Sequence, residues 1–254
     1  MRPHTVAAWL TSLAVVSFSF SISFAQPPAL PNENHYKTYE CTAASIFKLI
    51  GLKDQFGTVS VTTATLTKFA TPVRKDEYPI IEQDAHQTWW RISAPQTPRT
   101  VEVIDQFGEA PWTVADAVFL VTPAKKYPVT GDTPPVRNHY LCYAAIGPNP
   151  NRFVVLTDQF GTQTVFVGEC KFFCNPVEKT VDGVVYPIID GTAHLACYMV
   201  DNPAPTGQFV TALDQFGSWQ FDLGPNQCLC NPALKREPLG TKQSTWGNIK
   251  ALYR

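Results

Sequence analysis

Four stretches of the chain alternate apolar and polar residues with a period of two, and each breaks at the same tetrapeptide. Two and four positions before Asp54, Asp105, Asp158 and Asp214 stand Leu52 and Ile50, Val103 and Val101, Leu156 and Val154, and Ala212 and Val210. Seven and nine positions after the aspartates stand Val61 and Thr63, Trp112 and Val114, Val165 and Val167, and Phe221 and Leu223. A period of two places one side of an extended strand against a core and the other in solvent. The pattern therefore predicts a strand on either side of a tight turn made by Asp-Gln-Phe-Gly. There the aspartate accepts local backbone N–H groups, the glycine takes a positive φ, and the phenylalanine folds back onto the sheet.

A wider frame surrounds each turn. His35, His86, His139 and His194 precede the aspartates by 19 residues, or 20 in the last case, and four residues after each histidine comes an aromatic: Tyr39, Trp90, Tyr143 and Tyr198. Pro72, Pro123, Pro176 and Pro232 follow the aspartates by 18 residues, and Lys75, Lys126, Lys179 and Lys235 stand three further on. The chain is thus four copies of one unit of about 52 residues. With one strand starting at each histidine and another ending before each proline, each unit is expected to hold about four short strands. Tyr78-Pro79-Ile80-Ile81 and Tyr186-Pro187-Ile188-Ile189 stand eight residues before His86 and His194, so the units form pairs. The expectation is an all-β protein of two tandem small barrels or sandwiches, which would hide strand edges. Residues 26–130 would hold units one and two, residues 131–239 units three and four, and 128–138 the linker. Residues 240–254 leave the pattern; Trp246, Ile249, Leu252 and Tyr253 fit either a docking helical face or a frayed tail.

The repeat also organises the cysteines. Three residues after the histidine and sixteen after the aspartate, units three and four both carry cysteine, as Cys142 with Cys174 and Cys197 with Cys230. Units one and two have Thr38 with Ala70 and Trp89 with Val121 at those places. Cysteines present together or absent together fit a bond between the first and last strands of a unit. Such a bridge is worth about 3 to 4 kcal/mol in the chain-entropy account. Of the remaining three, Cys170 and Cys228 are placed to bridge the two halves of the second pair, and Cys41 is expected to be a buried thiol.

Composition narrows the partners. Twenty basic against 21 acidic side chains give a net charge of −1, with no basic surplus for a phosphate backbone, so a nucleic-acid partner is not expected. Twenty-two prolines argue against a helical bundle. Residues 1–25 read as an export signal, with Arg2, an apolar run from Val6 to Phe24, and Ser23 and Ala25 before the cut. No later run is apolar for long enough to cross a bilayer as a helix. The expected location is therefore periplasmic, cell-surface or extracellular, the setting in which disulfides persist.

Candidate chemistry is sparse. His139 and Asp158 resemble a base and its orienting carboxylate, yet a group present in all four copies is more simply part of how each copy folds, through an Asp-capped turn and a His or Lys bonded within its own unit. Each turn offers one carboxylate, and no paired Cys-x-x-Cys occurs, so neither a metal nor a cofactor is expected. Trp90 and Trp112 fall on recurring inward positions, while Trp89 and Trp219 do not and are the candidates for exposed rings that contact a glycan or a cell-surface protein.

His139-Tyr140-Leu141-Cys142-Tyr143, Asp158-Gln159-Phe160-Gly161 and Cys174-Asn175-Pro176-Val177-Glu178-Lys179 together resemble a group of uncharacterised exported bacterial repeat proteins. The likeness runs from residue 35 to about 239, is strongest in unit three, and implies export and repetition without an activity. The expected function is a non-catalytic surface, matrix or binding module. The alternative is a secreted hydrolase with its site between the two domains.

Overall fold

Hydrophobic alternation on both flanks of every turn produces strands throughout, and in the computed structural model, which describes residues 29–128, 136–201 and 206–236, no helix forms among those residues. The expected leader 1–25, most of the expected linker and the tail 240–254 with Trp246 lie outside the described residues. Unit one gives β1 (His35–Glu40), β2 (Ser45–Asp54) and β3 (Gly57–Lys75); unit two gives β4 (His86–Ala94), β5 (Arg99–Asp105) and β6 (Gly108–Lys126). Unit three gives β7 (His139–Ile146), β8 (Arg152–Asp158) and β9 (Gly161–Val181), followed by the short β10 (Val184–Tyr186). Unit four gives β11 (His194–Val200), β12 (Phe209–Asp214), β13 (Gly217–Asp222) and β14 (Asn226–Arg236). The two strands expected after each turn are one continuous strand in units one to three. Only unit four keeps the break, where the Gly224 N–H and the Pro225 carbonyl bond to Glu40 of β1 instead of continuing the strand.

The first strand of each unit, β1, β4, β7 and β11, and the strand that carries its proline and lysine, β3, β6, β9 and β14, close a ring. Going round it, β1 pairs β3, β3 pairs β4, β4 pairs β6, β6 pairs β7, β7 pairs β9, β9 pairs β11, β11 pairs β14, and β14 returns to β1, every pair antiparallel. Closure leaves no unpaired edge in this eight-stranded barrel. Its inner face is built from Tyr36, Trp89, Phe119, Tyr140, Cys142, Cys174, Leu195, Cys197, Cys228 and Cys230. In register within their units, the facing pairs are Thr38 with Ala70, Trp89 with Val121, Cys142 with Cys174, and Cys197 with Cys230. The last two pairs are disulfides, with Cα atoms 3.9 and 4.0 Å apart. Glu33 lies under the ring with its two oxygens accepting the hydroxyls of Tyr36 at 2.9 Å and Tyr140 at 3.2 Å, which ties the segment ahead of β1 to unit three.

The outer face of the ring is equally apolar and is covered by the hairpins. Tyr39, Phe69, Trp90, Leu120, Tyr143, Phe173 and Tyr198 pack there with Ile50, Leu52, Val101, Val154 and Val210 of the hairpins. These hairpins pair away from their own units: β2 of unit one with β9 of unit three, β8 of unit three with β3 of unit one, β5 of unit two with β14 of unit four, and β12 of unit four with β6 of unit two. Through the hairpins, hydrogen bonding joins units one with three and two with four, and the fourteen strands of the described residues belong to one sheet. The division expected near residue 130 is not drawn by the strands, because each half of the chain supplies only half of the ring and leaves its outer face to be covered by the other. Residues 26–130 and 131–239 made as separate chains are expected to show no cooperative unfolding by circular dichroism, and to regain a transition on mixing. A sharp melt of either half alone would contradict this arrangement.

Candidate functional site

Each motif aspartate is engaged on both oxygens. One oxygen caps its own turn: the N–H of Phe56, Phe107, Phe160 or Phe216 donates to Oδ1 of Asp54, Asp105, Asp158 or Asp214 at 2.7, 2.7, 2.9 and 2.8 Å. The following Gly57, Gly108, Gly161 and Gly217 hold φ between 132° and 147°, a conformation that favours glycine. The other oxygen leaves the unit. Tyr143 OH and Asn175 Nδ2 of unit three donate to Asp54 Oδ2 at 2.8 and 2.9 Å. Tyr198 OH and Asn231 Nδ2 of unit four donate to Asp105 Oδ2 at 2.9 and 3.1 Å. Tyr39 OH and, at 3.0 Å, Thr71 Oγ1 of unit one donate to Asp158 Oδ2. Trp90 Nε1 and Thr122 Oγ1 of unit two donate to Asp214 Oδ2 at 3.0 and 3.3 Å. The recurring aromatic is thus the partner of the aspartate two units away.

The rest of the tetrapeptide reaches the neighbouring unit. Gln55, Gln159 and Gln215 meet the ring Nε2 of His194, His86 and His139 at 3.2, 3.0 and 2.9 Å, while Gln106 accepts the Lys75 amine on Oε1 at 2.7 Å. Gln55, Gln159 and Gln215 therefore bond the histidine of the preceding unit, with unit one closing onto unit four, and Gln106 bonds the lysine of the preceding unit. Phe56, Phe107, Phe160 and Phe216 stand edge-on to Tyr143, Tyr198, Tyr39 and Trp90, with ring centroids 5.1 to 5.5 Å apart. Over the same phenylalanines lie Lys235, Lys75, Lys126 and Lys179, at 4.9, 4.8, 5.6 and 5.0 Å from the centroids. The lysine belongs to the preceding unit in each case, and an ammonium over a ring face is attracted by its quadrupole.

Burial sets the charge states. All four motif histidines are buried, and loss of solvation holds His35 and His86 at about 4 and His139 and His194 at about 3. Burial also lowers Lys179 to about 6, with Asp214 opposing the shift. It pushes the Asp105 carboxyl up against the donors Asn231, Phe107 N–H and Tyr198, and pushes up the hydroxyl of Tyr198 itself. An imidazole that stays neutral and hydrogen-bonded serves as a fixed polar post in the wall.

Several sequence expectations change here. Each aspartate keeps one oxygen within its own turn, and His86 Nδ1 meets the nearby Asp84 carbonyl at 3.1 Å, but the second aspartate oxygens and the glutamine-bonded histidine nitrogens reach other units, because the hairpin carries each turn onto another copy. His139 and Asp158, the imagined base and carboxylate, have separate partners, Gln215 for the first and Tyr39 with Thr71 for the second. Trp89 is wholly buried on the inner face, donating to Gln87 Oε1 at 3.2 Å, so it offers no exposed ring. Trp219 is half-buried, edge-on to Trp90 at 5.1 Å, with its N–H on Asp214 Oδ1 at 2.9 Å. Cys170 and Cys228 do not bridge: they stay thiols, Cys170 in the outer cluster and Cys228 on the inner face, on opposite sides of the sheet. Cys41 is a buried thiol whose ionisation burial pushes up to about 12. Sequence reasoning passed over the motif glutamines and the buried polar Thr71, Thr122, Asn175 and Asn231. The common place of these last four, seventeen residues after each aspartate, and the recurrence of the glutamine one residue after it were the available signals.

Residues 86–231 match a family described as a repeat of unknown function (DUF7450), and the chain belongs to that family. Comparison with curated proteins and with solved structures gave no match. The family carries repetition and no assigned chemistry.

Two outcomes test the network. Tyr198→Phe removes one donor to a buried carboxylate and is expected to destabilise the protein by about 1 to 3 kcal/mol; combined with Asp105→Ala, the urea unfolding energies should fall short of additivity by at least about 0.5 kcal/mol. The second concerns pH. Below the unfolded histidine value of 6.5 the unfolded chain takes up protons that the folded histidines refuse until about 4 or 3. The histidine contribution to stability is therefore full above pH 6.5 and falls as pH drops toward 4, by up to about 1.4 kcal/mol per pH unit for each histidine. Lys179 acts in the same sense between pH 10.5 and about 6, and Asp105, raised in the fold, opposes the histidines near its own range. Denaturant midpoints at pH 7, 5.5 and 4.5 should decline in that order, and a flat series would contradict the buried neutral imidazoles.

Proposed function

We propose that this chain is an exported, non-catalytic β-repeat protein acting as a surface, matrix or binding module. One observation carries the reading. Five residues before the motif aspartates, on the outward side of the hairpins, stand Leu49, Phe153 and Phe209, which are 68%, 72% and 63% exposed; unit two has Thr100 there. Large apolar side chains at the same outward place in three copies do nothing for the core, and exposed apolar groups of this size mark contact surfaces. Repeated weak contacts on one rigid body add through effective concentration. The same repetition supports the non-catalytic reading, since the polar residues common to all copies are engaged in joining the units. The two disulfides fit an oxidising compartment and therefore export. The fitting partner is an envelope glycan or a cell-surface protein that presents many equivalent apolar or ring faces.

The test is retention of the mature protein on envelope and extracellular material. The triple change Leu49→Ala, Phe153→Ala and Phe209→Ala is expected to shift the unfolding energy by no more than about 1 kcal/mol, as surface substitutions do, and to abolish retention. Failure of the unchanged protein to bind any such fraction would refute the proposal.

A further inference from the structure

The four turns differ most at one place. Five residues after each motif aspartate stand Val59, Ala110, Gln163 and Trp219. In unit four the Trp219 ring lies over its own turn: it meets Trp90 edge-on at 5.1 Å, its N–H donates to Asp214 Oδ1 at 2.9 Å, and a Cβ on Gly217 would come within 3.4 Å of it. In unit two the corresponding place is a cavity of about 310 Å³ beside Ala110, with Asp105, Phe107, Gly108, Trp112 and Tyr198 among its walls. Asp105, Gly108 and Tyr198 are the counterparts, copy for copy, of Asp214, Gly217 and Trp90, the three residues that receive the Trp219 ring. The cavity is therefore the place of an indole that unit two does not supply.

The chemistry around it agrees. Asp214 Oδ1 accepts two donors, the Phe216 N–H and the Trp219 indole N–H, whereas among the described residues Asp105 Oδ1 accepts the Phe107 N–H. Burial pushes the Asp105 carboxyl up, and a further donor would favour its charged form. The Trp112 wall is held in place, since a Cβ on Gly147 would lie within 2.8 Å of its ring, so the loop before β8 packs flat on the indole. Trp112 and Tyr198 are edge-on at 5.5 Å, and Arg152 lies over Phe107 at 5.2 Å, which gives an aromatic box with a cation at one side. The volume is at the lower end for small-molecule sites and suits one flat ring system.

We infer that the cavity beside Ala110 is a binding site for a planar ring bearing an N–H donor, an indole above all, seated edge-on to Tyr198 with its N–H on Asp105 Oδ1. This deepens the reading of the chain as a binding module and rests on it. The indole has two sources. It can come from outside, as a free indole or a tryptophan side chain of a partner. It can also come from the chain, because Arg236, the last described residue, is ion-paired at 3.0 Å with Glu109 on the cavity wall, and Trp246 stands ten residues further along the sequence.

The experiment titrates indole into the full chain, followed by amide and indole N–H shifts. Saturable changes at Gly108, Ala110 and the Trp112 side chain are expected, and Ala110→Trp, which supplies the missing ring, should remove them and raise the melting temperature. Ala110→Phe provides a second filling variant should the larger ring not be accommodated. Trp219→Ala should add a second indole site in unit four. Equal binding by the unchanged chain and by Trp246→Ala assigns the ligand to an outside source; binding that emerges only in Trp246→Ala supports the same cavity and assigns its occupant to the chain. No shift in either protein, or binding undiminished by both filling variants, overturns the inference. Indole binding without retention on envelope material removes the module reading alone, and retention without indole binding removes the cavity alone.

Discussion

A carboxylate taken out of water needs donors for its lone pairs, and four of them set the terms for this fold. Each motif aspartate satisfies one oxygen with the N–H two residues on, which makes the turn. Its second oxygen, buried beneath the hairpin, has no donor in its own unit and takes its hydroxyl or indole and its amide or hydroxyl from the unit two places away. An unpaired buried charge is among the costliest defects a core can hold. A unit is complete only with its partner, and the partner only with it. The glutamine to histidine bonds and the lysine to phenylalanine contacts then run between neighbours, so diagonal and adjacent ties together close the ring.

In a molecule so constructed, what the copies share and what distinguishes them have different uses. The shared Asp, Gln, Phe, Gly, His, aromatic, Pro and Lys build the joints. Differences lie where the joints leave room: disulfides in two units, Trp89 with Val121 in another, exposed apolar side chains on three hairpins, and Ala110 where unit four has Trp219. Function in this family of repeats is better sought in the departures from the motif than in the motif itself.

The residue pattern revealed more of the local structure than of the global arrangement. The turn, its glycine and its capped aspartate were legible because they depend on interactions within four residues. The two disulfides were legible because Cys142 with Cys174 and Cys197 with Cys230 come and go together, and residues that do so face one another across a pair of strands. Trp89 was misplaced for a reason particular to this barrel. Both faces of its strands are buried, one by the interior and one by the hairpins, so period-two alternation separates two kinds of inside instead of inside from outside. The pairing of units was misplaced because Tyr78-Pro79 and Tyr186-Pro187 mark a longer period along the chain, while contact follows where the hairpins land.

The amino-acid sequence by itself determined the strands, the four turns, the number of copies and the bridged pairs, since each follows from short-range geometry or from matched changes at two positions. Which copy completes which was decided only in three dimensions. A buried oxygen accepts a proton donor from whatever unit the closed ring brings against it, and no spacing along the chain encodes that neighbour.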